Sequence, residues 1–562
     1  MSERVPFTFD GVPLEGRHGE SLAAALVAAG ITGFRETRRG QTRSLFCGMG
    51  ICQDCLVSVD DKPNQRACMT KLDRPLTVRH EKFGRALAQV ADSQPPRLIE
   101  DVPEESPEIL VIGAGPGGLS AAIAARRAGA AVTVVDERAA PGGQYFKQVL
   151  VAGKEVVKPD RQHLEGRRLV ETAIGLGVDI RSNVDVWGAF GPQDLIATEA
   201  GFIRRFSPKR LIVATGAYER GVPVPGWTLP GVMTTGAAQA LWRSYRRLPG
   251  ARILVAGNGP LNMQVASELR TGGAQIAAVI EIAALPVLKS LPHLAAMAAT
   301  SPRLIVDGLR YRARLAGVPF LNGSVVTHIE QTPGGLGVRV ETYPAMRKGR
   351  TFEVDAVCLG YGFQPSNEIL RALGCEHVFD AQRGQFTAIV DKLGRTSVDG
   401  VSSLGDCTGL RGARATLSEG TIVGWAVAAD LGHSPPTPPA DLQAARHDLG
   451  LQRRFQAALW RLYAAPRLNL ELATSETIVC RCEEVTAGSI EAALAAGNTS
   501  IGDLKRATRA GMGPCQGRYC GMVLTQALAT REGRPLDEQV RFAPRMPVKP
   551  VSIADIARGN QP

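Results

Sequence analysis

The chain has 562 residues, 44% of them apolar, with 62 glycines, which is too long for one hydrophobic core and suits a turn-rich α/β protein of several domains. Its formal charge of +11 comes with no helix-turn-helix pattern and no aromatic-laced basic motif, so no nucleic-acid partner is expected; the arginine excess reads as a solvated face or a docking surface for an acidic partner. No apolar run reaches the roughly 18 residues of a membrane span, and MSERVPFTFD has neither the basic start nor the apolar stretch of a signal peptide, so a cytoplasmic chain is expected.

In chain order, residues 5–15 (VPFTFDGVPLE) alternate around an Asp10-Gly11 turn and predict a hairpin, followed by a helix over 20–29. A loop then carries Cys47, Cys52 and Cys55 in CGMGICQDC, and Cys68 follows after 12 intervening residues. Hairpin, helix and cysteine loop in that order predict a small β-grasp ferredoxin-like domain over 1–91. The C-x4-C-x2-C start is the spacing of plant-type 2Fe–2S ferredoxins, where a tight loop turns several sulfurs toward two irons. Gly48 and Gly50 suit that loop, because they accept positive φ and let backbone amides approach the bridging sulfides. Structural zinc uses similar pair spacing and stays open as the alternative, although no histidine lies between Cys47 and Cys68.

The acidic, proline-rich stretch 92–107 reads as a linker. After it, EILVIGAGPGGLSAAIAARRAGAAVTVVDE sets Gly113, Gly115 and Gly118 between an apolar strand and a helix, with Asp136 closing the next strand. This is the dinucleotide fingerprint in its full context: glycines seat the pyrophosphate on the helix N-terminus, and the carboxylate accepts from the ribose. A second unit, ARILVAGNGPLNMQVASELRTGGAQIAAVIE, keeps Gly257 and Gly259 but has Asn262 in place of the third glycine. A side chain there is expected to push the helix off the strand or crowd the pyrophosphate. Glu281, 24 residues after Gly257, favours NAD over NADP, so occupancy by NAD stays open.

HSPPTPP marks a second linker, a helix is expected over 442–463, and a second cysteine group follows: Cys480 and Cys482, then Cys515 and Cys520 after 32 intervening residues. The segment between the pairs predicts two short helices. Cytoplasmic thiols stay reduced, so eight of the 11 cysteines in two groups of four indicate metal ligation and not disulfides. Cys358, Cys375 and Cys407 are scattered and read as small core residues. The histidines never pair at metal or triad spacing, no Cys-x-x-Cys relay accompanies the dinucleotide units, and no general base beside a substrate pocket is apparent. The catalytic residues therefore stay unknown.

Three resemblances extend these readings. SLFCGMGICQDCLVSVDDKPNQRACMT resembles the ferredoxin-like part of hydrogen cyanide synthase, of opine and D-hydroxyproline dehydrogenases, and of the large subunit of heterotetrameric sarcosine oxidase. RLIVATGAYER, with Thr215 and Gly216, TSVDGVSSLGDCTGLRGA, with Gly405 and Asp406, and PGGQ, with Gln144, resemble two-dinucleotide flavoproteins; this implies FAD at the first unit, with Asp406 on the ribityl chain. The last cysteine group resembles the bacterioferritin-associated ferredoxin (BFD) fold and implies a second 2Fe–2S cluster. The implied organisation is the β-grasp domain (1–91), linker (92–107), FAD domain in two parts (108–222 and 351–432) around an NAD-like domain (223–350), linker and helix (433–475), BFD-like domain (476–532) and tail (533–562).

The resemblance implies an α/β, Rossmann-like flavoprotein acting as the FAD- and iron–sulfur-containing electron-transfer subunit of a heteromeric amine or imino-acid dehydrogenase. A small FAD-dependent partner similar to D-amino-acid oxidase would oxidise opine, hydroxyproline or a glycine-type substrate, and electrons would leave to an unidentified acceptor, through which the chain would reach the inner membrane peripherally. Family members also hold FMN at the subunit interface, which no motif here establishes. Two clusters and a flavin dinucleotide would lower the formal charge from +11 to about +5. The alternatives are a self-contained NADH-dependent reductase and a zinc-held assembly scaffold.

Overall fold

A computed structural model describes residues 3–82, 102–151, 159–285, 290–433 and 439–558. The N-terminal hairpin turns at Asp10 and Gly11, both at positive φ (49° and 82°), and its strands Arg4–Phe9 and Val12–Arg17 join a mixed five-stranded sheet with Leu76–His80, Leu56–Val59 and Lys62–Arg66. Helix Leu22–Ala28 lies on that sheet and begins later than residue 20, because Ser21 is its cap and accepts from the Ala24 amide through Oγ.

Two parallel five-stranded sheets follow, each with short central strands that are largely buried, as expected of a parallel sheet. The first runs Asp179–Ser182, Val132–Asp136, Ile109–Ile112, Arg210–Val213, Val401–Ser403. The second runs Val232–Thr234, Ala356–Gly360, Arg252–Gly257, Gln275–Glu281, Phe320–Asn322. The return to the first unit, expected at 351, comes later. Arg347–Val354 is the third strand of an antiparallel sheet, and Ala356–Gly360 is a strand of the second parallel sheet, so the chain rejoins the first sheet only at Val401–Ser403. Between them, Phe363–Pro365 pairs with Ala217–Glu219 and links the two units.

Other expectations shift as well. Most of the stretch 92–107 lies outside the described residues, but its end is no linker: Val102 is buried, and Glu104–Glu105 pairs with Arg205 and Phe206. Of the second linker, HSPPTPP at 433–439, residues 434–438 also lie outside the described residues. Helix Ala440–Leu462 packs on Ala413–Asp430 and Leu291–Thr300. Two short helices, Ala487–Ala495 and Ile501–Thr508, do stand between the last cysteine pairs. The tail returns across the first unit, where Val548 is buried and its amide donates to the Trp187 carbonyl at 2.8 Å, while Lys549 Nζ bonds Glu137 at 2.6 Å and Asp185 at 3.0 Å. Among the described residues no helix is long and apolar enough to cross a membrane.

Candidate electron-transfer site

At the first glycine loop, strand Ile109–Ile112 is buried throughout and ends on Gly113, whose φ of 110° and 2.4 Å gap from an added Cβ to the Ala214 carbonyl oxygen exclude any other residue. A Cβ at Gly118 would lie 1.9 Å from the Gly113 oxygen. Helix Pro116–Ala128 starts on Gly115 without a capping side chain, so its first-turn amides are available to a pyrophosphate. Asp136 Oδ2 accepts from the Ala114 amide at 2.7 Å and Oδ1 from the Arg138 amide at 2.8 Å; burial raises its pKa against these donors. The carboxylate expected at a ribose thus also grips the loop itself.

The other flavin candidates gather around that loop. Gly143, next to Gln144, packs on Gly115, an added Cβ lying 2.8 Å from its Cα, and a Cβ at Gly117 would lie 2.3 Å from Leu404, which sets Gly405 and Asp406 beside the same helix. Thr215 Oγ1 donates to the Ser366 carbonyl at 2.5 Å, and Gly216 has φ 72°. Asp406 Oδ1 accepts from the Arg411 and Gly412 amides at 2.9 and 3.1 Å, and burial pushes its pKa up. An uncapped helix N-terminus in a glycine cradle, with two carboxylates in fixed orientation, fits a flavin dinucleotide.

The second unit repeats the first. Helix Pro260–Thr271 also starts uncapped, on Gly259, and Glu281 accepts from the Gly259 amide through Oε2 and from Asn258 Nδ2 and the Ala283 amide through Oε1, all at 2.9 Å. Asn262 does not push the helix away. It is buried, its Nδ2 donates to the Gly360 carbonyl at 3.0 Å and its Oδ1 accepts from Thr235 Oγ1 at 2.9 Å. Room for it comes from Gly360, where a Cβ would lie 2.2 Å from Asn262 Oδ1. A cavity of about 1230 Å³ opens beside this loop, lined by Asn258, Gly259, Tyr361, Asp406, Tyr145 and Arg414 among others.

Both cysteine groups close up. Cys47, Cys52, Cys55 and Cys68 are buried free thiols, Gly48 and Gly50 have φ of 63° and 77°, and the Cys52 amide donates to Cys47 Sγ at 3.3 Å. The thiols interact in pairs, Cys47 with Cys52 and Cys55 with Cys68, then Cys480 with Cys520 and Cys482 with Cys515. Burial would raise the Cys47 thiol, but the Cys52 thiol and the amides of Cys52, Met49 and Ile51 bring it down to about 6. Among the described residues no three His, Cys, Asp or Glu side chains are placed to hold one ion. Two thiol pairs per group is the arrangement that two irons, each held by two thiolates, would require. At the second group a Cβ at Gly513 would lie 2.2 Å from Cys482 Cβ, so the loop closes only on glycine.

The two groups, expected as separate domains, lie side by side. Cys482 Sγ is 4.0 Å from the Cys52 carbonyl oxygen. Arg481 Nε and Nη2 each reach Asp54 Oδ2 at 2.7 Å, and Nη1 donates to the Trp227 carbonyl at 2.7 Å. Burial would raise the Asp54 carboxyl, and Arg481, Arg35 and Arg43 hold it below its ordinary value. Sequence reasoning missed Arg481 and Asp54; the one signal was opposite charge inside the two cysteine loops, C-R-C and C-Q-D-C. It also missed Glu219, which burial pushes up to about 7, and Lys147, which burial brings down to about 7 and whose Nζ donates to the Gln144 carbonyl at 2.7 Å.

Known proteins share this organisation. Residues 107–432 match the pyridine nucleotide-disulphide oxidoreductase family, residues 2–82 a 2Fe-2S iron-sulfur cluster binding domain, and residues 474–560 the sarcosine oxidase A3 domain. An opine oxidase subunit of Agrobacterium tumefaciens is 33% identical over 474 residues, covering 80% of this chain and 91% of that protein. The chain belongs to this oxidoreductase family. Hydrogen cyanide synthase subunit HcnB of Pseudomonas aeruginosa is 32% identical, covering 79% and 97% of the two chains, and the alpha subunit of sarcosine oxidase from Rhizobium meliloti is 25% identical, covering 94% and 55%. The crystal structure of L-proline dehydrogenase from P. horikoshii superposes with a TM-score of 0.74 at 20% identity, over 99% of this chain and 98% of that one, which shows a common fold. A member of this family with these domains carries a flavin and a 2Fe–2S cluster, and its named relatives are subunits of larger complexes.

Proposed function

We propose that the chain is the FAD- and two-cluster electron-transfer subunit of a heteromeric dehydrogenase acting on amine or imino-acid C–N bonds. Its electrons come from a small flavoprotein partner resembling D-amino-acid oxidase. The observation that carries this reading is the adjacency of the two cysteine groups, with Cys482 Sγ 4.0 Å from the Cys52 carbonyl, in a chain that also builds a complete flavin cradle. The names of the relatives, oxidases of opines and sarcosine, support the donor class. Flavin, when bound, takes up an electron pair and clusters carry single electrons, which is a physical reason to combine them.

In this reading Gly113, Gly115, Gly118 and Asp136 hold the dinucleotide, Gln144, Thr215, Gly216, Gly405 and Asp406 its flavin end, and the eight paired cysteines two clusters. Glu219 and Lys147, buried side chains outside the cysteine groups whose pKa lies at about 7, do not line the cavity, and oxidation of the C–N bond is assigned to the partner. The chain works in the cytoplasm and delivers electrons to an acceptor of unassigned identity. The test is reconstitution. The isolated chain should oxidise no amino acid, and its visible absorption should bleach on adding an amine or imino acid only with the co-purifying flavoprotein present. Turnover of an amino acid by the isolated chain would overturn the assignment.

A second reading has one observation in its favour. The loop at Gly257 and Gly259 is intact because Gly360 makes room for Asn262, so a self-contained NADH-dependent reductase stays in play. Rapid stoichiometric reduction of the isolated chain by NADH would promote it.

A further inference from the structure

We propose that Arg481 and Asp54 bolt the two cysteine groups into one unit, so that the two iron–sulfur centres exchange electrons directly as a coupled pair. This rests on the cluster reading given under Proposed function and adds to it a positioning role for two residues outside the ligand set. Arg481 separates the ligands Cys480 and Cys482, and Asp54 stands between Cys52 and Cys55, so each loop sends the charged residue between its ligands into the other loop.

The pair is fully enclosed, with side-chain exposures of 4% and 0%. Enclosing two charges costs several kcal/mol of desolvation, so a buried pair is a poor source of stability; its best-attested use is to fix register. Here the geometry is over-determined. All three guanidinium nitrogens of Arg481 are used, and its Cζ lies 3.7 Å from the Phe46 ring centroid and 4.6 Å from that of Trp227. The other Asp54 oxygen accepts from Arg35 at 3.2 Å. A second lock lies alongside: Glu484 accepts from Thr37 Oγ1 at 2.6 Å and the Arg39 amide at 3.0 Å, and pairs with the buried Arg43 at 3.7 Å. Neither loop can turn without breaking these contacts, and the Cys52 carbonyl is held against Cys482.

The charge around the bolt acts in the same direction. Among the described residues Arg35, Arg43 and Arg481 form ion pairs with Asp54 and Glu484, three cations against two anions, leaving an excess positive charge between two centres that each become more negative on reduction. The exchange moves one electron from one centre, which is oxidised, to the other, which is reduced; no bond forms or breaks and no proton moves.

The test uses the full chain, prepared anaerobically and reduced with dithionite, with iron and sulfide assayed in every sample. Electron paramagnetic resonance of the wild type should show two interacting spins, with broadened and fast-relaxing signals. Arg481→Gln with full iron content should lose that interaction and lower the midpoint potential of at least one centre, and Arg481→Lys should restore both in part. Cys515→Ser, retaining one centre, supplies the non-interacting reference. Asp54→Asn, nearly isosteric, decides the matter should Arg481→Gln not retain its iron. A full-iron Arg481→Gln or Asp54→Asn chain with wild-type spin interaction and potentials would overturn the proposal. A wild type with fewer than two clusters would overturn the cysteine assignment itself, and the coupling with it, and the iron assay tells the two failures apart.

Discussion

Cys482 Sγ stands 4.0 Å from the carbonyl oxygen of Cys52, a residue 430 positions earlier in the chain. Two cysteine groups so placed should still load independently, because the thiols pair with one another within each group. Cys52→Ser and Cys515→Ser should each lower the iron content from about four per chain to about two, with matching loss of acid-labile sulfide. Unchanged iron in either variant would refute that ligand assignment.

The two ends of the flavin cradle should fail differently. Asp136 holds the Ala114 amide and Asp406 the Arg411 and Gly412 amides, so each carboxylate orients its own loop. Losing such charge-assisted bonds costs about 1.5–3 kcal/mol, so Asp136→Ala and Asp406→Ala should each weaken flavin retention by roughly tenfold to a hundredfold. Flavin fluorescence released on dilution measures this. Asp406→Ala should in addition shift the flavin visible spectrum, whereas Asp136→Ala, at the adenosine end, should not.

Asn262 answers differently from its sequence reading. Replacing it with glycine does not repair a damaged loop; it removes two buried hydrogen bonds and leaves a void against Gly360. Asn262→Gly should therefore destabilise the chain by about 2–3 kcal/mol, read from chemical denaturation, without a gain in NADH reduction rate. Faster reduction by NADH in this variant would show that the side chain obstructs the nucleotide.

Glu219 supplies a pH signature. Burial raises its pKa to about 7 against the Gly236 amide bonded to Oε2 at 2.8 Å, so the native state favours the neutral acid. From the ordinary 4.5 up to about 7, the unfolded chain has released a proton that the native chain keeps, so this group lowers stability as pH rises. Glu219→Gln should be near neutral at about pH 4.5 and stabilising by roughly 1–3 kcal/mol at about pH 8. Equal effects at both pH values in urea unfolding would contradict the assignment.

The sequence by itself determined what short-range constraints encode. Cysteine spacing singled out the two groups of four thiols, and glycines at 113, 115, 118, 257 and 259 marked the two glycine loops, since at 113, 118 and 257 the backbone passes too close for a Cβ and at 259 φ is 108°. The family and the helices between the last cysteine pairs were legible as well. Tertiary structure alone decided the rest. Whether Asn262 blocks a site depended on Gly360, almost a hundred residues away, and whether 351 begins the first unit depended on which sheet Ala356–Gly360 joins. The meeting of Arg481 with Asp54 depended on how separately built domains dock, because a buried charge is tolerated only where a distant partner neutralises it, and no local periodicity records that partner.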